Sequence, residues 1–314
     1  MLSFFFLIVG LVLLMIAADI LVRGCVALAE RLHVPPLVIG LTVVAFGTSA
    51  PELVVSLQAG LAGSGGIAIG NVVGSNIANI LLVLGLPSLI CATSVQATGA
   101  KRNFAVMLAA TVLFIVQCLD GRLTRLDGLV LLFFFLMFFV MQFQATRRAR
   151  RDREALDIPE VSLSVPLAIV FSIGGILALP FAAKLVVDNA IQMAQLLGLS
   201  ETVIGVTIVA VGTSLPELAA GLMSAWRGQS AMTLGNAIGS NVFNILFILG
   251  LTATAVPLTV PPDFLHYELW AMLAAALVLI PFLGLRLPIG RLAGFALVLI
   301  YGGLIWGTVA LPSI

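Results

Sequence analysis

The chain has 314 residues, of which 61% are hydrophobic and 9% charged, and a net charge of +1. Soluble proteins carry about 25% charged residues, so with a mean hydropathy of +1.21 this chain lacks the polar side chains to cover a water-facing surface. A soluble enzyme, a disordered protein and a nucleic-acid binder are excluded, which leaves an all-α polytopic membrane protein in a lipid bilayer.

A bilayer core takes about 20 mostly apolar residues per helix. That ruler predicts ten spans, at 2–22, 37–60, 66–90, 103–119, 128–145, 163–184, 202–225, 231–256, 268–285 and 292–311. The first lacks the basic flank and small-residue cleavage site of a signal peptide and reads as a retained helix. Pro35-Pro36, the stretch Gly60 to Gly66, Asp120-Gly121, Gly228 and Pro261-Pro262 punctuate the spans. Cys25, Cys91 and Cys118 stand singly among apolar residues and read as small hydrophobes.

After the fifth span, Arg147 to Glu154 carries five arginines, and the positive-inside rule places this basic loop, 147–162, in the cytoplasm. Alternation then puts both termini outside. Of the 15 basic residues, 12 fall in loops on the inner side, Arg122 and Arg125 fall outside, and Lys184 sits at a span end.

The chain repeats itself. VIGLTVVAFGTSAPEL at 38–53 matches VIGVTIVAVGTSLPEL at 203–218 with 12 identities in 16, and at the same offset of 165 GNVVGSNIANILLVLGL at 70–86 matches GNAIGSNVFNILFILGL at 235–251 with 11 in 17. Five spans separate the copies, an odd number, so the copies cross the bilayer in opposite senses. The expected fold is ten transmembrane helices in two inverted five-helix repeats, 1–146 and 163–314, an arrangement that places a substrate site near the midplane.

Glu52 and Glu217 are the acidic residues deepest in the apolar spans. A carboxylate at that depth costs about 2.5–3.5 kcal/mol and marks a functional site by default. Thr48 and Ser49 precede Glu52 by four and three residues and share its helical face, as Thr213 and Ser214 do with Glu217. Ser49-Ala50-Pro51-Glu52 also fits a capping box; a cap in mid-membrane implies an interrupted helix, so both readings stand together. Pro51 and Pro216 remove the bonds to the Gly47 and Gly212 carbonyls, and such carbonyls need a partner where there is no water.

The neighbouring spans add Asn71, Ser75, Asn76 and Asn79, and Asn236, Ser240, Asn241 and Asn244. Glycine-based helix packing with polar glue is the bland account of this stripe, for which Gly70, Gly74, Gly235 and Gly239 are placed. Joined to the two glutamates, the stripe reads instead as an oxygen cage. Carboxylate, hydroxyl, amide and carbonyl oxygens suit hard cations such as Ca²⁺, and two carboxylates balance one Ca²⁺ or two Na⁺. His33 and His266 fall in loops and are not expected to be ligands.

At the doubled GTSxPE and GNxxGSNxxN motifs the chain resembles the cation/calcium exchanger superfamily, specifically its prokaryotic sodium/calcium antiporters. The resemblance implies an antiporter, not an enzyme, with Ca²⁺ and Na⁺ as transported ions and no cofactor. It implies Glu52 and Glu217 as central ligands, assisted by the Thr48, Ser49, Thr213 and Ser214 hydroxyls. The family also uses backbone carbonyls at the positions of Ala45 and Ala210, together with Ser75, Ser240, Asn79 and Asn244. Some members carry Asp where this chain has Asn79 or Asn244; K⁺-independent exchange is expected here. The first and sixth spans carry Asp19 with Arg23 and Lys184 with Asp188, spaced for intrahelical ion pairs, and by likeness would form a mobile pair sliding across a rigid core.

The expected location is a prokaryotic inner membrane, with no nucleic acid and no obligate protein partner. A proton/calcium exchanger using the same glutamates is the nearest rival, although each GN here is followed by GSN instead of the GNxxE pattern usual in that branch. A passive cation channel and a non-transporting scaffold are the others.

Overall fold

A bilayer offers no water to backbone N–H and C=O groups, so a spanning chain satisfies them within helices. The computed structural model is accordingly helical almost throughout, and it describes residues 2–32, 34–153, 163–196 and 210–310. The first half comprises α1 (Leu2–Arg31), the bent pair α2 (Pro36–Thr48) and α3 (Ala50–Leu61), α4 (Gly65–Ile90), α5 (Ala100–Cys118), strand β1 (Arg122–Leu123) and α6 (Arg125–Arg153). The second comprises α7 (Val165–Leu196), α8 (Ala210–Thr213), α9 (Leu215–Trp226), α10 (Ser230–Ala255), β2 (Leu258–Thr259), α11 (Phe264–Leu285) and α12 (Arg291–Ala310). Among the described residues seven helices are long and apolar enough to cross a membrane, and the bent pair makes an eighth. His33 and residues 202–209 of the predicted seventh span lie outside the described residues.

Three helices outrun their predicted ends. α1 continues from 22 to Arg31 and α7 from 184 to Leu196. Each carries its expected i,i+4 ion pair at that point, Arg23 to Asp19 at 2.9 Å and Lys184 to Asp188 at 2.9 Å, which keeps polar residues compatible with helix where the apolar run stops. α6 continues to Arg153, so the basic run begins as helix, not loop. No Gly or Pro interrupts 145–153, and Arg is a good helix former. The Arg147 guanidinium lies 4.6 Å from the centroid of the Phe143 ring.

The helices alternate in direction, as their end contacts record. At one end Ser3 Oγ donates to Gln192 Oε1 (2.9 Å), and β1 pairs antiparallel with β2, Arg122 opposite Thr259. At the other, Arg31 Nε donates to the Leu163 carbonyl (2.8 Å), Lys101 Nζ to that of Gly284 (3.2 Å), and Thr93 bridges to Ile289. Every one of these contacts joins segments that the predicted alternation put on the same side.

α4 and α10 form the buried centre, with 72% and 83% of their most apolar windows buried, against 33%, 22% and 28% for α1, α6 and α7. α10 lies tightly on α2. A Cβ on Gly239 would stand 2.6 Å from the Leu41 carbonyl oxygen and one on Gly40 2.5 Å from that of Met232, while one on Gly235 would overlap the Leu37 carbonyl. Glycine is therefore required where these backbones meet.

α1 and α7 pack antiparallel on each other. A Cβ on Gly24 would stand 2.5 Å from the Ser172 nitrogen, and one on Gly175 2.5 Å from Leu21 Cβ. Leu14, Ala18, Leu21, Val22, Leu179 and Ala182 belong to a second apolar core, which also takes in Val38, Ile39 and Val44 of α2, Ala219 and Ala220 of α9 and Met232 of α10. It is separate from the larger core that gathers Ile69, Met107, Phe114, Leu246 and Met272 from α4, α5, α10 and α11.

Candidate functional site

The helix interruption inferred from Pro51 is present. α2 stops at Thr48, α3 starts at Ala50, and their axes differ by 47°. Pro51 and Pro216 each sit in the first turn of the following helix, where a missing N–H would be unpaired in any case. Glu52 and Glu217 occupy those same first turns and are fully buried.

Ser49 and Ser214 hold the N-cap positions, but neither makes a side-chain cap bond. The Ser49 hydroxyl donates instead to Glu217 Oε1 at 2.8 Å. The capping-box account of this segment is corrected: Ser49 Oγ accepts from no first-turn N–H, and its hydroxyl proton makes a charge-assisted bond to the opposite glutamate. On the other side, Ser75 Oγ donates to Glu52 Oε1 at 3.4 Å. Each glutamate is thus held by a hydroxyl through one oxygen, and Glu52 Oε2 and Glu217 Oε2 are buried without a partner.

The helices behind the glutamates are pinned symmetrically. Asn71 Nδ2 donates to the Glu52 carbonyl (3.2 Å) and Asn236 Nδ2 to the Glu217 carbonyl (3.3 Å). Ser56 Oγ reaches the Ala68 carbonyl and Thr233 Oγ1 the Gly221 carbonyl, both at 3.3 Å. Thr48 Oγ1 donates to the Val44 carbonyl (3.0 Å) and lies 3.4 Å from Asn236 Oδ1, which it can serve as donor.

The remaining expected residues fall as follows. The Ala45 carbonyl accepts from Ser49 N (3.1 Å) and is 3.5 Å from Thr48 Oγ1. Ala210 opens α8, and Ser214 N pairs with the Val211 carbonyl at 3.1 Å. Thr213 is half-buried. Ser240 and Asn244 are fully buried and Asn79 nearly so. Ser214 Oγ, Ser240 Oγ, Asn244 Oδ1 and both polar atoms of Asn79 have no hydrogen-bond partner.

Buried polar atoms are normally satisfied. Here the orphaned oxygens of Glu52, Asn79, Ser214, Glu217, Ser240, Asn241 and Asn244 belong to the doubled motif, while those of Gln117, Gln142 and Glu268 lie outside it; the concentration in the motif is of a chemistry that suits a hard cation. Among the described residues no group of three or more His, Cys, Asp or Glu exists, so a cation at this place would complete its shell from hydroxyls, amides and carbonyls, as Ca²⁺ does.

Some polar contacts near the site escaped the sequence reading, although Asn76 and Asn241 were already in its polar stripe. Asn76 and Asn241 stand one residue off the Asn71–Ser75–Asn79 face and its counterpart, yet Asn244 Nδ2 donates to Asn76 Oδ1 (3.0 Å) and Asn241 Nδ2 to the Asn76 carbonyl (3.2 Å). Their identity in both copies at offset 165 was the available signal. Asp19 also binds Arg227, which donates through Nε at 2.6 Å and through its terminal nitrogen. Arg227 has Ala62 as its repeat counterpart, so nothing in the repeat pointed to it.

The family model described as sodium/calcium exchanger protein matches residues 2–144 and 167–310. The sodium/calcium exchanger MaX1 of Methanosarcina acetivorans is 34% identical over 336 residues, covering 95% of this chain and 96% of that protein. The inner membrane protein YrbG of Escherichia coli is 37% identical over 279 residues, 87% of this chain and 86% of that protein. Among solved structures, the sodium-calcium exchanger NCX_Mj soaked with 2.5 mM Na⁺ and 1 mM Sr²⁺ superposes with a TM-score of 0.82 at 33% identity, over 100% of this chain and 99% of that one.

Proposed function

The chain belongs to the sodium/calcium exchanger family, as a prokaryotic, multi-pass integral membrane member, and from that premise we propose that it exchanges Na⁺ for Ca²⁺ by alternating access to the cage around Glu52 and Glu217. The observation that carries the reading is the pair of fully buried glutamates at helix breaks. Each keeps one oxygen unpartnered among orphaned Ser and Asn oxygens.

In this reading both carboxylates, the Thr48, Ser49, Thr213 and Ser214 hydroxyls, the Ala45 and Ala210 carbonyls, and oxygens of Ser75, Ser240, Asn79 and Asn244 form one set on which both ions draw, Ca²⁺ taking about six to eight of them around the two glutamates. Na⁺ competes for overlapping oxygens. An empty cage holds two like charges, about 4 kcal/mol of repulsion if they were 4 Å apart at an effective dielectric near 20. That penalty opposes crossing of an unloaded carrier and so couples the two fluxes. The ten helices form two inverted repeats, 1–146 and 163–314, with the 147–162 segment cytoplasmic and both termini outside the inner membrane. α1 and α7, which pack on each other at Gly24 and Gly175, slide as a pair over the apolar faces that α2 and α9 turn to them.

The experiment is radiocalcium uptake into liposomes reconstituted with the purified protein, under an outward Na⁺ gradient, an outward proton gradient or none. Uptake driven by Na⁺ and lost in Glu52→Gln and in Glu217→Gln is the expected result. Uptake driven only by protons, or indifferent to gradients, overturns it in favour of a proton exchanger or a channel.

A further inference from the structure

Several polar contacts in the cage are made by one copy of the motif and left unmade by the other. Ser49 donates to Glu217, whereas its counterpart Ser214 keeps its hydroxyl unpartnered; Ser75 donates to Glu52, whereas Ser240 does not pair. The difference is most complete where α4 crosses α10. There Asn76 receives Asn244 Nδ2 on its side-chain oxygen (3.0 Å) and Asn241 Nδ2 on its carbonyl (3.2 Å), and its own Nδ2 lies 3.7 Å from Met272 Sδ.

Exchanging the two copies at offset 165 generates a second pattern. Asn79 would donate to Asn241 Oδ1, Asn76 Nδ2 to the Asn241 carbonyl, and Asn241 Nδ2 to Met107 Sδ. Every group required is in place. Met107 is the counterpart of Met272 and fully buried. Both polar atoms of Asn79 and the Asn241 Oδ1 are buried and unpartnered, so they are free to form it.

We propose that Asn76 and Asn241 are a two-position amide latch, holding Asn244 in one state of the exchanger and Asn79 in the other. This rests on the reading of Asn79 and Asn244 as ion ligands. A latched asparagine is fixed through Nδ2 and keeps Oδ1, the atom a cation needs, unpaired; the released one has no fixed amide plane. The latch therefore selects which asparagine is held in a ligating orientation. The same residue types make both patterns, so the two are close in energy, and a buried crossing with two closed patterns is a bistable element of the kind that amplifies small shifts.

The test uses Asn76→Ala and Asn241→Ala in vesicles of defined orientation, reading the ratio of half-saturating Ca²⁺ at the two membrane faces. Asn76→Ala removes two contacts from the state seen and one from the other; Asn241→Ala does the reverse. The ratio is expected to move about three- to tenfold in opposite directions, with the double variant returning to the wild-type ratio. A general weakening of the fold would move both faces together. The volume-conserving Met272→Leu and Met107→Leu each touch one pattern only and are expected to reproduce the opposite signs at smaller size. Shifts of the same sign, an unchanged ratio, or loss of transport in both methionine variants overturns the latch. Absence of Na⁺-driven Ca²⁺ uptake in the wild type would instead overturn the proposed function.

Discussion

The Ser49 hydroxyl donates to Glu217 Oε1 at 2.8 Å, joining residues 168 positions apart. The break between α2 and α3 in one half is thereby tied to the first turn of α9 in the other, and neither half completes the cage alone.

That bond has a charged acceptor in a fully buried site, and such a bond is worth about 1.5–3 kcal/mol. Ser49→Ala is therefore expected to raise the half-saturating Ca²⁺ in vesicle uptake by roughly tenfold or more. A change below about twofold would remove the hydroxyl from the ion site.

The proposed overlap of the oxygen sites implies that Na⁺ and Ca²⁺ exclude one another on the same face. Raising Na⁺ on the Ca²⁺-loading side should increase half-saturating Ca²⁺ while leaving the maximal rate intact, and choline should do neither. Inhibition by Na⁺ that lowers only the maximal rate would place Na⁺ somewhere else.

Arg227 reaches Asp19 through two nitrogens at a site where their side chains are 32% and 24% exposed, while Lys184 and Asp188 are 73% and 48% exposed. After allowance for solvent screening, Arg227→Ala should cost about 1 kcal/mol of thermal stability in detergent. Lys184→Ala should cost less than about 0.5 kcal/mol. Equal losses would show that the Arg227–Asp19 contact between the end of α9 and α1 holds the two helices no better than an exposed intrahelical pair.

Gly239→Ala places a methyl 2.6 Å from the Leu41 carbonyl oxygen, whereas a Cβ on Gly302 meets nothing within 4 Å. Overpacking of this kind costs about 1–3 kcal/mol, so the first variant should melt several degrees lower and the second should not. Melting curves of the two purified proteins decide it.

Much of this was legible in the sequence because the motif is written twice. The offset of 165 located Glu52 and Glu217 together, and Pro51 announced the break that the 47° bend displays. Basic-residue placement sorted the loops into the two groups that Arg31–Leu163 and Ser3–Gln192 now mark. What the sequence did not carry was the choice among equivalent partners. Ser49 and Ser214 look alike in the motif, and only three-dimensional placement makes one a donor to the opposite glutamate and leaves the other unpaired. Helix ends were misjudged where an ion pair or an arginine run prolonged helix beyond the apolar stretch, because hydropathy measures the bilayer and not the helix.

α1 and α7 are sewn to each other, Gly24 against Ser172 and Gly175 against Leu21, and α7 also lies on both motif glycines, where a Cβ on Gly47 would stand 2.5 Å from Ile176 and one on Gly212 2.5 Å from Val187. Pace and choice of cargo are therefore inherited together along that seam. A substitution of Ile176 or Val187 that retunes turnover also presses on the helix breaks that carry the glutamates, so a lineage changes one trait only with the other.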